Sequence, residues 1–129
     1  MPSSAQRTGA QGEAEAERYL RTLGYGVIDR HFTCRFGELD LVATDQKELV
    51  FIEVKQRRSV HFGTPEESIT RRKLERLASA IEVYRSAHPE FDHWTYRLDL
   101  IIIDESNDKE IRHLRGLSPQ ETSSYSHAQ

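Results

Sequence analysis

Two runs of branched apolar residues dominate the first half of the chain and predict a β-hairpin. They are residues 37–43 and 49–55, and a short polar segment separates them. Branched and aromatic side chains in two such runs, joined by a polar turn, are typical of paired antiparallel strands. A four-residue loop from Asp45 to Glu48 would place Asp40 directly opposite Glu53, so the register predicts that two carboxylates meet across the hairpin.

The predicted pair of facing acids needs a compensating charge. Facing residues in an antiparallel pair have Cβ atoms about 5 Å apart, and like charges at that distance are destabilising. A divalent cation, a shared proton or the ammonium group of Lys55 would each offset the repulsion. Lys55 follows Glu53 by two residues and therefore shares its face of the strand. Because folding alone does not require Glu-x-Lys at the end of an apolar strand, these residues indicate chemistry.

The spacing of apolar residues predicts two helices outside the hairpin. The first begins at Gln11 and ends before Gly24, which is a typical C-terminal cap. The second follows the hairpin, begins at Thr64 with Thr70 as a second candidate cap, and ends at His88, which precedes a proline. The hairpin therefore lies between two helices in the chain.

Three further strands are predicted, over residues 25–33, 94–104 and 110–114. The strand at 94–104 is the most apolar, as expected of a buried central strand. Because a helix separates it from the hairpin, a right-handed crossover should pair it in parallel with its neighbour. We expect one domain over residues 11–115, a flexible N-terminal tail over residues 1–10 and a disordered polar C-terminal tail over residues 116–129.

Length and composition bound the class of protein. A chain of 129 residues has room for one domain with a modest core. The net charge of -3 and the pI near 6.1 exclude a protein that coats nucleic acid by charge alone. The single cysteine, Cys34, excludes a disulfide framework and is interpreted as a small hydrophobic residue in a reducing compartment. No segment resembles a signal peptide or a membrane span, so we expect a cytoplasmic protein without a membrane partner.

Basic residues concentrate in one segment that begins at Lys55. Between Lys55 and Arg76 there are seven lysines and arginines but three glutamates, and the rest of the chain is acidic. Such a segment is either a solvated surface or a surface that holds nucleic-acid phosphates. The candidate nucleic-acid-binding residues are Arg57, Arg58, Arg71, Arg72, Lys73 and Arg76.

The acids of the hairpin suggest a metal-dependent phosphodiesterase site. Mg²⁺ prefers hard oxygen ligands and keeps several waters, so two or three carboxylates suffice. The candidate ligands are Asp40, Glu53 and, from the first helix, Glu13. Lys55 is the candidate to orient or deprotonate the attacking water, or to neutralise charge in the transition state. Two ordinary alternatives stay open: a cross-strand salt bridge around Lys55, and a solvated Glu13 that complements the dipole at the start of its helix.

Several motifs occur together between Gly12 and Asp104. They are Gly12-Glu13-x-x-Ala16, Gly37-Glu38-Leu39-Asp40-Leu41-Val42, Leu49-Val50-Phe51-Ile52-Glu53-Val54-Lys55, Phe62-Gly63-Thr64-Pro65 and Lys73. In this combination they resemble the YraN family of small bacterial proteins. That family is assigned to the PD-(D/E)XK nuclease superfamily, beside the archaeal Holliday junction resolvases.

The resemblance implies an α/β fold with a restriction-endonuclease-like αβββαβ core, in which helices flank a central mixed sheet. It also implies Mg²⁺ or Mn²⁺ as the cofactor and active positions at Glu13, Asp40, Glu53 and Lys55. Asp99 lies where the family often has an acid, although an ion pair with Arg97 or Arg112 explains it equally well. Residues 31–35 depart from the family, which commonly has Asn and Arg before the Gly-Glu-x-Asp motif.

These observations leave three hypotheses of function. The first is a Mg²⁺-dependent endodeoxyribonuclease that hydrolyses phosphodiester bonds in DNA, with branched and single-stranded DNA as candidate substrates. The second is a non-catalytic nucleic-acid-binding or scaffold protein that retains the nuclease fold, motivated by the basic segment. The third is an interaction module in which Lys55 only neutralises Asp40 and Glu53. Resemblance to resolvases makes a homodimer conceivable, although no hydrophobic strip in the sequence identifies an interface.

Overall fold

One five-stranded mixed sheet carries a helix on each face. The computed structural model describes residues 4–57, 69–105, 108 and 110–117, with the side chains of the first helix from residue 10 onward. The elements in chain order are α1 (Ser4–Thr22), β1 (Gly26–Cys34), β2 (Gly37–Asp45), β3 (Glu48–Arg57), α2 (Arg71–Ala87), a 3₁₀ turn (Pro89–Phe91), β4 (Thr95–Asp104) and β5 (Glu110–Leu114). The predicted fold class is confirmed: this is a single small α/β domain, consistent with a restriction-endonuclease-like core.

The strands lie in the sheet in the same order as in the chain. Each neighbouring pair is antiparallel except β3 and β4, which run parallel from Glu48–Thr95 to Arg57–Asp104. α2 lies between these two strands in the chain and forms the crossover that a parallel pair requires. The predicted parallel pairing is therefore confirmed.

The β2–β3 hairpin has the predicted register but a tighter turn. Asp45 pairs with Glu48, so the loop between the strands has two residues rather than the predicted four. Gln46 makes this turn possible with a φ of 57°, a conformation that Gly or Asn usually marks in a sequence. The pairing between the two strands extends to Leu41 and Ile52, one residue before the two facing acids.

Each face of the sheet carries its own apolar core. One core joins α2 to the sheet through Leu74, Leu77, Ala80, Ile81, Tyr84, Leu39, Val42, Phe51, Leu100 and Ile102. The other joins α1 to the sheet through Ala16, Leu20, Leu41, Ala43, Val50, Ile52, Ile101 and Ile103. The helices therefore cover opposite faces of the sheet.

The alternation of faces along β2 breaks at Asp40. Leu39 belongs to the same core as Val42, whereas Leu41 and Ala43 belong to the other core. Strict alternation would place Leu39 and Leu41 on one face. Asp40 therefore lies at an irregular position, just beyond the paired part of the hairpin.

α1 is longer than the apolar pattern predicts. It begins at Ser4, so residues 4–10, predicted as part of a flexible tail, are helical. Alanine, glutamine and arginine favour a helix in this stretch even without an apolar stripe. The predicted C-terminal cap is confirmed, because Gly24 takes a φ of 86° and the amide of Tyr25 donates to the carbonyl of Leu20 at 3.1 Å.

α2 begins at Arg71 and is capped by Thr70, the second of the two predicted caps. The hydroxyl of Thr70 accepts a hydrogen bond from the backbone N–H of Lys73 at 3.0 Å. The predicted start at Thr64 and the candidate phosphate-binding residue Arg58 lie outside the described residues. Within the described part of the chain, neither helix is long and apolar enough to cross a bilayer.

A buried polar network surrounds Asp99, which is 0% exposed. Its carboxylate accepts hydrogen bonds from Arg97 Nε at 3.0 Å, His113 Nε2 at 2.7 Å and the backbone N–H of Gly116 at 3.0 Å. Burial raises the pKa of Asp99, but these hydrogen bonds outweigh it and hold the pKa below its usual value. Of the predicted partners, Arg97 is confirmed, and Asp99 has a structural place in the fold.

The first residues of the predicted C-terminal tail are attached to the domain. Besides the contact of Gly116 with Asp99, the amide of Leu117 donates to the carbonyl of Leu98 at 2.8 Å. The side chain of Leu117 packs against the core beneath α2. The remainder of the predicted tail, from Ser118, lies outside the described residues.

Replacement of Asp99 by Asn should destabilise the fold, because Arg97 would lose a buried counter-charge and His113 would lose a hydrogen-bonded carboxylate. We expect the free energy of unfolding at pH 7, measured by urea denaturation, to fall by about 3 kcal/mol. Asp108→Asn removes the same charge from an exposed position and should change stability by less than about 0.5 kcal/mol. Wild-type stability of Asp99→Asn would contradict the role of this network.

Candidate active site

Asp40 is fixed by a hydrogen bond across the hairpin, at the place where β2 and β3 stop pairing. Its Oδ2 accepts this bond from the backbone N–H of Val54 at 2.9 Å. Burial raises the pKa of Asp40, and the hydrogen bond from Val54 opposes that shift only in part. At this irregular position in β2, a hydrogen bond to the Asp40 carboxylate takes the place of backbone pairing with β3.

Glu53 lies beside Asp40 and has a partner that the sequence did not predict. Burial and the nearby charge of Asp40 raise the pKa of Glu53 to about 7. The two carboxylates therefore interact, as expected from the hairpin register. The nearest counter-charge is Lys73 of α2, whose Nζ lies 3.3 Å from Glu53 Oε1. Lys55 is exposed and lowers the pKa of Glu53 less than Lys73 does.

Glu13 reaches the same cluster from α1, on the other face of the sheet. Because α1 begins at Ser4, Glu13 lies inside the helix, and the interpretation as a solvated residue at the helix start does not hold. Its side chain is 17% exposed, and burial and Asp40 raise its pKa to about 7. Gly12 permits the approach of α1 to β3, since a Cβ at this position would lie 2.7 Å from Cγ of Gln56.

His31 and Glu38 are members of the cluster that the sequence did not predict as site residues. His31 Nε2 lies 2.7 Å from Glu13 Oε2, and His31 Nδ1 lies 2.8 Å from Glu38 Oε1. The hydrogen bond with Glu38 raises the pKa of His31, against the effect of burial. Glu38 precedes Asp40 by two residues, a signal that could have found it. His31 has no such signal, because it lies in the segment that departs from the family pattern.

The described members of the predicted phosphate-binding set differ in their surroundings. Lys73 lies in the acidic cluster, where it binds Glu53. Arg71 forms an ion pair at 3.2 Å with a glutamate one turn further along α2. Arg72 and Arg76 are exposed and have no ion-pair partner among the described residues. Arg57 is half-buried at the end of β3.

The oxygen donors around Asp40 fit a hard divalent cation. Carboxylate oxygens are the ligands that Mg²⁺ and Mn²⁺ prefer, and the raised pKa values of Glu13 and Glu53 indicate negative charge without full compensation. Two overlapping sets of ligands are available. Glu13, Asp40 and Glu53 form the predicted set, and the ligand atoms of Glu13, His31 and Glu38 lie within 4.8 Å of one another.

Comparison with known proteins places the chain in a family. The sequence model described as "Uncharacterised protein family UPF0102" matches residues 12–103. The chain belongs to the UPF0102 family. This is the YraN family that the motifs resemble, so that prediction is confirmed. The matched range contains Glu13, Asp40, Glu53, Lys55 and Lys73, so every residue of the predicted active positions lies in the part shared with the UPF0102 family.

Relatives in the UPF0102 family match most of this chain. A UPF0102 protein of Syntrophomonas wolfei is 40% identical over 107 residues, which cover 82% of this chain and 92% of the relative. One from Desulforamulus reducens is 37% identical over 119 residues, covering 89% and 98%. One from Nocardia farcinica is 47% identical over 76 residues, covering 57% and 60%.

The acidic cluster should make stability depend on pH. The pKa of Glu53 is about 7 in the folded protein, whereas an unperturbed glutamate has a pKa of 4.5. The folded protein therefore binds this proton more tightly than the unfolded chain does. The free energy of unfolding should therefore fall as the pH rises from about 4.5 to 7. In Glu53→Gln this fall should be smaller, so the stability of the variant relative to wild type should rise by about 2 kcal/mol between pH 5 and pH 8.

Urea denaturation at pH 5 and pH 8 measures this effect. Glu75→Gln removes an exposed acid of α2 and should leave the pH dependence of wild type unchanged. An identical pH dependence in Glu53→Gln and wild type would contradict the raised pKa of Glu53.

Proposed function

We propose that this UPF0102 protein is a divalent-metal-dependent endonuclease that hydrolyses phosphodiester bonds in DNA. The observation that supports this most is that Asp40 raises the pKa of both Glu13 and Glu53, so carboxyl groups from three elements interact through Asp40. Titratable groups with strongly shifted pKa values concentrate at functional sites. The predicted Lys55 and the additional Lys73 lie next to them.

The proposed cofactor is Mg²⁺ or Mn²⁺, held by Asp40 and Glu53 with Glu13 as a further ligand. When bound, the ion would polarise the scissile phosphate and lower the pKa of a bound water. The observations in favour are the oxygen donors and the pKa values of Glu13 and Glu53, which burial and Asp40 raise, because a cation would relieve both repulsion and desolvation.

The two lysines would have different tasks at this site. Lys55 is exposed and follows Glu53 by two residues in β3, so its ammonium group is accessible to a phosphate. There it would donate to the phosphate oxygens and neutralise the charge that develops on them. Lys73 is already bound to Glu53 Oε1 and is a positioning residue, since it fixes the orientation of that carboxylate.

Cleavage assays test the proposal directly. Plasmid, single-stranded and four-way-junction DNA should be cleaved with Mg²⁺ or Mn²⁺ and remain intact with EDTA. Asp40→Asn and Lys55→Met should each lower the rate by about 100-fold or more, because the first removes a ligand of the metal ion and the second removes positive charge at the phosphate.

Matched controls for the two variants lie outside the cluster. Asp92→Asn changes an exposed acid after the 3₁₀ turn, and Lys47→Met changes the exposed lysine of the β2–β3 turn, which also follows an acid by two residues. Both should cleave at the wild-type rate. Cleavage that persists in Asp40→Asn or Lys55→Met would show that the active positions are assigned wrongly.

Metal binding can be measured without cleavage. Mn²⁺ at about 100 times its Kd should stabilise the wild-type protein by about 2.7 kcal/mol, measured by thermal unfolding, and EDTA should reverse the effect. The stabilisation should be larger at pH 8 than at pH 6, because Glu13 and Glu53 lose their protons near pH 7. Asp40→Asn should lose it and Asp92→Asn should keep it. Equal stabilisation of both variants would place the ion elsewhere.

One observation favours the second hypothesis, a nucleic-acid-binding protein without catalysis. The ion pair between Lys73 and Glu53 already neutralises part of the acidic cluster, so a metal ion is not required to keep these residues together. Binding of DNA that is salt-sensitive, unaffected by EDTA and not followed by cleavage of any of the three substrates would support this function.

A further inference from the structure

A cleft of about 250 Å³ opens between the β1–β2 turn and α2. Its lining includes apolar side chains, of which Leu77 of α2 is buried and Phe36 and Cys34 of the turn region are half-buried. Arg35 and Arg76, which also line the cleft, are exposed. The cleft therefore combines apolar side chains with exposed, positively charged ones.

The cleft is continuous with the candidate active site. Lys73 lines the cleft, and its ammonium group lies 3.3 Å from Glu53 Oε1. Glu38 also lines it and is bound to His31 on the other side. A ligand in the cleft would therefore touch residues that contact the proposed metal ligands directly.

The charge of the cleft indicates an anionic ligand with a flat apolar part. Arg76 has no ion-pair partner among the described residues, so its charge is available to a phosphate. The guanidinium group of Arg35 lies over the ring of Phe36, with 4.7 Å between the guanidinium carbon and the ring centroid. Stacked aromatic and guanidinium planes are the groups on which proteins stack unpaired bases.

We propose that this cleft binds one unstacked nucleotide of a single-stranded DNA segment, with its base against Phe36 and Leu77 and its phosphate at Arg76. A base inside a duplex is stacked and paired and cannot enter a concave cleft, whereas a base in a single strand can turn into it. The assignment to DNA rests on the proposed function, but binding in the cleft does not require cleavage. It would make single-stranded DNA, or a single-stranded branch, the preferred ligand.

The only cysteine of the chain reports on the cleft without any substitution, because Cys34 is part of its lining. The rate at which uncharged iodoacetamide alkylates Cys34 is measured in EDTA, so that no cleavage occurs. An oligothymidylate of about 15 nucleotides should slow the reaction about fivefold at saturation. A duplex of the same length should slow it less than about twofold, because its bases stay stacked.

Two variants of equal charge change test the role of the cleft. Arg76→Ala should raise the oligothymidylate concentration needed for half-protection about fivefold, since it removes a phosphate contact. Arg18→Ala removes an exposed arginine of α1, on the opposite face of the sheet, and should leave that concentration unchanged. Both positions are exposed, so both variants should fold.

The outcomes separate this inference from the proposed function. Equal protection by single-stranded and duplex DNA would overturn the assignment to an unstacked nucleotide. Absence of protection up to about 1 mM oligothymidylate, above the usual range of non-specific Kd values, would overturn the cleft as a binding site even if DNA is cleaved. Protection without cleavage by the metal-loaded protein would support the cleft and refute the endonuclease.

Discussion

The candidate site depends on a hydrogen bond between the Asp40 carboxylate and the backbone N–H of Val54. It holds a negative charge close to two others, at a place where the antiparallel pairing has ended. Repulsion and loss of hydration oppose this arrangement. The apolar cores on the two faces of the sheet supply the opposing stability, because each is anchored by a helix that also carries a member of the site: Glu13 on α1 and Lys73 on α2.

The charged groups around Asp40 form one connected system. Glu38, His31 and Glu13 are joined by hydrogen bonds or ion pairs, and Asp40 links them electrostatically to Glu53. When one group gains or loses a proton, the pKa values of the neighbouring groups therefore change. Titration of this cluster is expected to follow macroscopic steps that belong to the whole set.

The sequence predicted the parts of the site that depend on local patterns. The predicted hairpin register placed Asp40 near Glu53, and the two carboxyl groups interact, although the turn is tighter than expected and strand pairing stops at Leu41 and Ile52. The residues missed depend on tertiary structure. His31 carries a positive φ of 55° within a strand, which no apolar period indicates. Lys73 was expected to bind phosphate, and its contact with Glu53 was missed. Helical spacing gives the phase of a helix but not the distance of its first turn from a strand.

The parallel pairing of β3 and β4 bears on the order in which the molecule assembles. Partners such as Glu48 and Thr95 are 47 positions apart in the chain, whereas the hairpin closes through two residues. Contacts between distant residues form slowly, since a long loop must close before they stabilise anything. α1 and the hairpin leave the ribosome before α2, so the nascent chain presents its acids before Lys73 has emerged to neutralise Glu53.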